Sequence, residues 1–168
     1  MVVGTTRPGD LDRFWEIVDR AAGSGDHAES LRELLEGLSA REVAAFHRHF
    51  FSMMRKAYRY NLWGAAYLMM GGCSEDGFRD FRADLIGRGH VVFESVLKDP
   101  DSLADNTDVQ GDETLANVAN DVYVGKTGKD LPDAAGERRH PVGKRWNFDD
   151  DREMRRRYPR LYGLSNAK

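Results

Sequence analysis

The sequence predicts an all-α protein, a compact bundle of about six or seven helices followed by an extended basic C-terminal arm. Three observations carry that expectation. Apolar residues recur at spacings of three and four through most of residues 10–125; capping residues precede these runs and glycines follow them; and the period-two alternation of strands is almost absent. Short amphipathic helices joined by brief loops bury their stripes by packing on one another.

Asp10 is expected to cap a first helix with Phe14, Ile17, Val18 and Ala21 on one face and Gly23 as its stop. Asp26 followed by Glu29 reads as a capping box opening a second helix, whose stripe is Leu31, Leu34, Leu35 and Leu38, with Gly37 at its end. Ser39 with Glu42 repeats the device and opens a longer helix through Val43, Phe46, Phe50, Met53, Met54 and Ala57. A break is expected near Asn61. Leu62 to Met70 then reads as apolar on nearly every side, which places it in the middle of the bundle, closed by Gly71-Gly72. Ser74 caps a helix bearing Phe78, Phe81, Leu85 and Ile86, which ends near Gly87 and Gly89. Val92, Phe93, Val96 and Leu97 mark the next, stopped where Pro100 forces Asp99 out of the helical region. After a polar loop from Asp105 to Asp112, Leu115, Val118, Ala119, Val122 and Tyr123 form one more helix, ended by Gly125.

From Pro132 onward the pattern gives way to Gly, Pro and charge, with Trp146 and Phe148 as isolated aromatics and one short helix from Asp150 to Tyr158. The expected organisation is a helical domain over 8–131 and a basic arm over 132–168, packing on the body through those aromatics.

The chain has 168 residues and a formal net charge of −3, the size of one ordinary domain. Charge is divided unevenly: residues 1–135 carry 15 basic and 23 acidic side chains, and residues 136–168 carry 10 and 5. An acidic body therefore precedes a basic end, which either binds anions or folds back on the body. The stretch Leu62 to Met70 is much shorter than the roughly 20 residues of a bilayer span, and the polar start lacks a signal-peptide core. With a single cysteine, Cys73, the expected setting is the cytoplasm.

The run Leu62-Trp63-Gly64-Ala65-Ala66-Tyr67-Leu68-Met69-Met70-Gly71-Gly72-Cys73-Ser74-Glu75-Asp76-Gly77-Phe78 is the most specific motif. With Asp80-Phe81-Arg82, Phe93-Glu94 and Asp99-Pro100-Asp101-Ser102-Leu103-Ala104, it resembles the bacterial family catalogued as domain of unknown function 4240. Phe14-Trp15 and Tyr123 with Thr127-Gly128 and Leu131-Pro132 fit the same pattern, so the resemblance spans about residues 10–132. It implies a small, cytoplasmic, mainly helical protein and carries no activity.

Candidate chemistry is sparse. Gly125-Lys126-Thr127 fails as a phosphate loop because Asn120 stands where that loop needs its first glycine. His47 and His49, two apart on a helix, point about 200° apart and cannot chelate one metal. Glu42 and His49 share a face, a candidate acid/base pair or, equally, an interhelical contact. Cys73, just before a helix cap, reads either as a dipole-stabilised nucleophile or as a small buried hydrophobe. Trp63 and Tyr67, four apart, meet the helix of Asp76 and Arg82 across the double glycine. That geometry forms either a cleft with an aromatic floor and Arg82 as anion anchor, or plain core. Arg138, Arg139, Lys144, Arg145, Arg155, Arg156 and Arg157 form a candidate anion-binding tail, opposed by acidic neighbours.

No metal or cofactor is expected. The leading functional expectation is a non-enzymatic protein-interaction module of adaptor, regulatory or immunity type, with another protein as partner. One alternative is a small-molecule binder or enzyme with a cleft at the Gly71-Gly72 turn. The other is a nucleic-acid accessory protein acting through the tail, a reading weakened by a sequence pI near 6.0.

Overall fold

The computed structural model describes residues 9–134 and 138–167. Among them are nine α-helices and one 3-10 helix, and no strand, so the protein is all-α. The helices are α1 Asp10–Ala22, α2 His27–Glu36, α3 Ala40–Lys56, α4 Tyr60–Met70, α5 Glu75–Gly87 and α6 His90–Lys98. After the 3-10 helix Pro100–Asp105 follow α7 Val118–Thr127, α8 Asp151–Arg157 and α9 Pro159–Ser165.

Local signals set most helix starts. The Glu29 N–H donates to Asp26 Oδ1 at 3.0 Å, and the Gly77 N–H to Ser74 Oγ at 3.1 Å. The capping box at α3 is complete: the Glu42 N–H donates to Ser39 Oγ, and the Ser39 N–H returns to Glu42 Oε2 at 2.9 Å. Three boundaries differ from expectation. Gly9, in the left-handed region at φ 106°, precedes α1, so Asp10 is the first helical residue and faces the helix dipole instead of capping it. Leu115 lies in a turn before α7, and Gly125 lies inside that helix, which ends at Gly128 with φ 71°. The C-terminal stretch carries a second helix, α9, started by Pro159 at a position where the missing N–H costs nothing.

The enclosed helix is α5, not α4. Phe78 and Phe81 to Gly87 are all buried, including Arg82 and Asp84, at 6% and 5% exposure. Both charges are compensated. The Arg82 Nη1 donates to Met54 O at 2.9 Å and its Nε to Phe78 O at 3.3 Å. Asp84 accepts from the N–H groups of Gln110 and Gly111 and from Arg88 Nε at 3.0 Å, tying the 106–111 loop to the core. In α4, only Leu62, Gly64, Ala65 and Ala66 are buried, while Trp63, Tyr67, Leu68 and Met69 are half-buried. The apolar composition all around α4 serves a second surface, described below.

The C-terminal helices join the main core through Met154, Tyr158 and Leu161. Asp101, 6% exposed, caps α9 from a distance, accepting from Arg160 N at 3.1 Å and Leu161 N at 3.0 Å. Asp101→Ala leaves the buried Leu161 N–H and the part-buried Arg160 N–H without an acceptor and removes a charge-assisted cap, at a cost of about 2–3 kcal/mol. Chemical denaturation should show that loss, and hydrogen exchange should accelerate in α9 before α1–α3. Unchanged exchange in α9 would show that the cap does not anchor it.

Candidate functional site

The site grows from the end of α4. Trp63 and Tyr67 lie one turn apart on the same face of the helix. Gly71 at φ 71° and Gly72 at φ 124° reverse the chain, and the Gly72 N–H closes the turn on Tyr67 O at 2.8 Å. Trp63 Nε1 donates to Cys73 O at 2.9 Å, fixing the indole against the start of α5. The ring of Trp63 stacks on buried Phe78 at 5.1 Å, and Tyr60 lies parallel to it within 4° at 6.4 Å.

The second wall comes from the C-terminal segment. The Val142 N–H donates to Tyr58 O at 2.9 Å, and the Tyr60 N–H to Val142 O at 3.0 Å, a single parallel bridge that straps the segment to the start of α4. Trp146 and Phe148 follow, in edge contact with each other at 5.0 Å. Phe148 meets Trp63 at 6.1 Å and 60°, and Tyr67 at 5.5 Å. Between the walls lies an open cleft of about 900 Å³ lined by Tyr58, Tyr60, Trp63, Tyr67, Trp146 and Phe148, with Cys73 and Glu75 at the turn and Arg139, His140, Arg145, Asn147 and Asp149 on the other side.

Gly64 makes this possible. A β-carbon on it would overlap Trp146 Cζ2 and come within 2.7 Å of Tyr158 Oη. Tyr158 also donates to Asn61 O. Glycine inside a helix is about 1 kcal/mol less favourable than alanine, so its place here is explained by the rings it admits. Trp146 Nε1 is enclosed and has no acceptor among the described residues.

The polar groups of the cleft are held in defined states. Tyr58 Oη donates to Glu75 Oε1 at 2.9 Å, and burial together with that bond pushes the phenol up to about 12. Tyr67 Oη donates to Asp149 Oδ1 at 2.6 Å, and the carboxylate raises the Tyr67 pKa. Burial pushes the Cys73 thiol up to about 11, which favours the small-hydrophobe reading of this cysteine over the dipole-stabilised nucleophile.

The residues singled out in the sequence separate. Trp63, Tyr67 and Cys73 share the cleft. Asp76 and Arg82 lie beyond Tyr58, around a second cavity of about 130 Å³ that includes Arg138. The Arg82 guanidinium packs over Tyr58 at 4.5 Å and Phe78 at 5.1 Å, so Arg82 braces the aromatic wall from behind. Glu42 and His49 do line one small pocket, but Glu42 is bound to the Ser39 N–H, which lowers its pKa, and to Arg13 at 3.2 Å. Burial lowers the His49 pKa, and its ring packs 5.9 Å from Phe14. Of the tail cations, Arg139 and Arg145 line the cleft and Lys144 is exposed. Arg156 and Arg157 pair with Glu153 at 2.8 and 3.0 Å, Arg157 also stacks on Trp146 at 4.0 Å, and Arg155 lies over Tyr162. Among the described residues no group of three or more His, Cys, Asp or Glu is arranged to hold a metal, and no helix is long and apolar enough to cross a membrane.

The family model described as protein of unknown function (DUF4240) matches residues 10–126. The chain belongs to that family. No curated protein and no solved structure gives a significant match. The DUF4240 segment contains the Tyr58–Glu75 wall and Asp101; the wall from Arg139 to Asp149 lies outside the matched residues.

Two measurements test this geometry. Gly64→Ala should destabilise by about 1–3 kcal/mol despite the better helix propensity of alanine, and should open residues 138–150 to limited proteolysis. A more stable, equally resistant variant would show that Trp146 does not need the gap. At pH 7.5 Cys73 should react with a maleimide about tenfold or more slowly than an unperturbed thiol, its rate climbing past pH 10 as the thiolate forms. Fast reaction at neutral pH would restore the nucleophile reading.

Proposed function

We propose that this DUF4240 protein is a non-catalytic binding module whose working surface is the aromatic cleft at the double-glycine turn. The observation that carries this reading is the convergence of six aromatic rings from two distant chain segments on one open cleft. A core needs no such opening; five of these rings are left half-buried around a cleft with a few polar groups, the common composition of small-molecule sites. The Tyr58 and Tyr67 hydroxyls and the Cys73 thiol, all shifted upward, stay protonated across neutral pH, which suits contact more than proton transfer. A protein partner is the second reading. It is favoured by the groove where Met69, Met70, Leu161 and Leu164 meet, with Met70 and Leu164 exposed.

An anilinonaphthalene sulfonate dye distinguishes the two. The folded protein should bind it with quenching of tryptophan fluorescence, and Tyr60→Ala and Phe148→Ala should each weaken binding about tenfold while Leu164→Ser leaves it unchanged. The reverse pattern would move the site to the apolar groove, and no binding at all would overturn the cleft reading.

A further inference from the structure

We infer that the ligand of this cleft is a nucleoside phosphate, its base stacked on the aromatic wall of α4 and its phosphate held by Arg139 and Arg145. The inference rests on the cleft being a binding site and adds the chemistry of its occupant.

The shape of the aromatic wall favours a flat ring. Tyr60 and Trp63 share one orientation, parallel within 4° at 6.4 Å, and Phe148 stands at 60° to Trp63, so the rings meet in a corner. Such a corner accepts a planar π-system by its face and stops it at its edge. Asn147 and Glu75 supply amide and carboxylate groups for a base edge or a sugar hydroxyl; Glu75 accepts from Tyr58 through Oε1.

The charge decides the rest. Residues 138–148 hold Arg138, Arg139, His140, Lys144 and Arg145 and no Asp or Glu, in a chain whose net charge is −3. Arg139 and Arg145 are exposed at the cleft and make no ion pair or hydrogen bond with the described residues, whereas Arg156 and Arg157 of the same tail are paired. Two guanidiniums beside an aromatic face match an aromatic anion, because guanidinium forks bind phosphate oxygens in pairs. A cationic ligand fits poorly: an aromatic cage for ammonium groups is completed by available carboxylates, and here Glu75 and Asp149 accept from tyrosines while the arginines repel. A neutral sugar uses the rings and leaves the arginines idle.

The volume is also suitable, since about 900 Å³ lies within the roughly 300–1,000 Å³ of ligand pockets.

The test uses the full chain with bound anilinonaphthalene sulfonate as reporter. ADP, GDP, CDP and UDP are titrated separately, beside adenosine, inorganic phosphate and a single-stranded ten-nucleotide RNA. At least one diphosphate should displace the dye, with adenosine and phosphate each at least about tenfold weaker. The double variant Arg139→Ala/Arg145→Ala, both positions being exposed, should keep the melting temperature and lose about tenfold or more for the nucleotide but little for adenosine. If the RNA displaces the dye and the free diphosphates do not, the nucleotide belongs to a single strand, and the same variant must abolish its binding. Dye bound in the cleft with no displacement by any nucleotide or RNA overturns this inference and leaves the binding cleft standing; a dye that ignores Tyr60→Ala and Phe148→Ala overturns both. Equal nucleotide affinity in the arginine variant overturns the assignment of the phosphate site.

Discussion

Gly64 sits where α4 meets Trp146 and Tyr158, and a β-carbon there would overlap the Trp146 ring and crowd the Tyr158 hydroxyl. The Trp146 and Tyr158 side chains therefore pack directly on the α4 backbone at one point, and everything on the cleft side depends on that approach. Phe148 reaches Trp63 and Tyr67 only because Trp146 is seated two residues earlier. The seat is secured at both ends, by the Val142 bridge before it and by the Asp101 cap on α9 after it. Stability of the C-terminal segment and shape of the site are thus one physical problem.

Burial of charge organises the other half of the molecule. Arg82 and Asp84 stand on the enclosed helix α5, and each satisfies backbone groups that no helix or sheet ladder reaches. Removing either strands polar groups in a low-dielectric interior, where an unmade hydrogen bond costs more than a made one contributes. That is why α5, with two of its ionisable residues buried, can occupy the centre, while the more apolar α4 lies at the edge of the cleft. Hydropathy ranks the two helices in the opposite order, since it counts side chains and not the partners waiting for them.

Local signals were legible wherever the chemistry was local. Asp26, Ser39 and Ser74 each cap the helix that follows them because a side-chain oxygen two or three residues from an amide needs no tertiary help. Gly125 misleads for the complementary reason: glycine ends a helix only where the backbone adopts positive φ, and Gly128 takes that role. Of the site, Trp63, Tyr67 and Cys73 were readable together from their spacing around the double glycine. Tyr58, Tyr60, Glu75 and Asp149 were not, since the contacts that place them there join residues at least 17 apart in the chain. Gly64 carried a faint signal as a helix-interior glycine with no turn to serve.

By itself the sequence determined the helical class, most helix starts and the DUF4240 membership, because these depend on residues within a turn or two of one another or on the order of a single motif. The tertiary structure alone decided which charges are spent on internal pairs and which face the cleft. It also decided that Arg82 braces the aromatic wall and that residues 139–149 complete the opposite one. Those outcomes are contacts across as many as 82 residues of chain, as from Tyr67 to Asp149. The chain's loop closure and packing select such contacts, and no local periodicity encodes them.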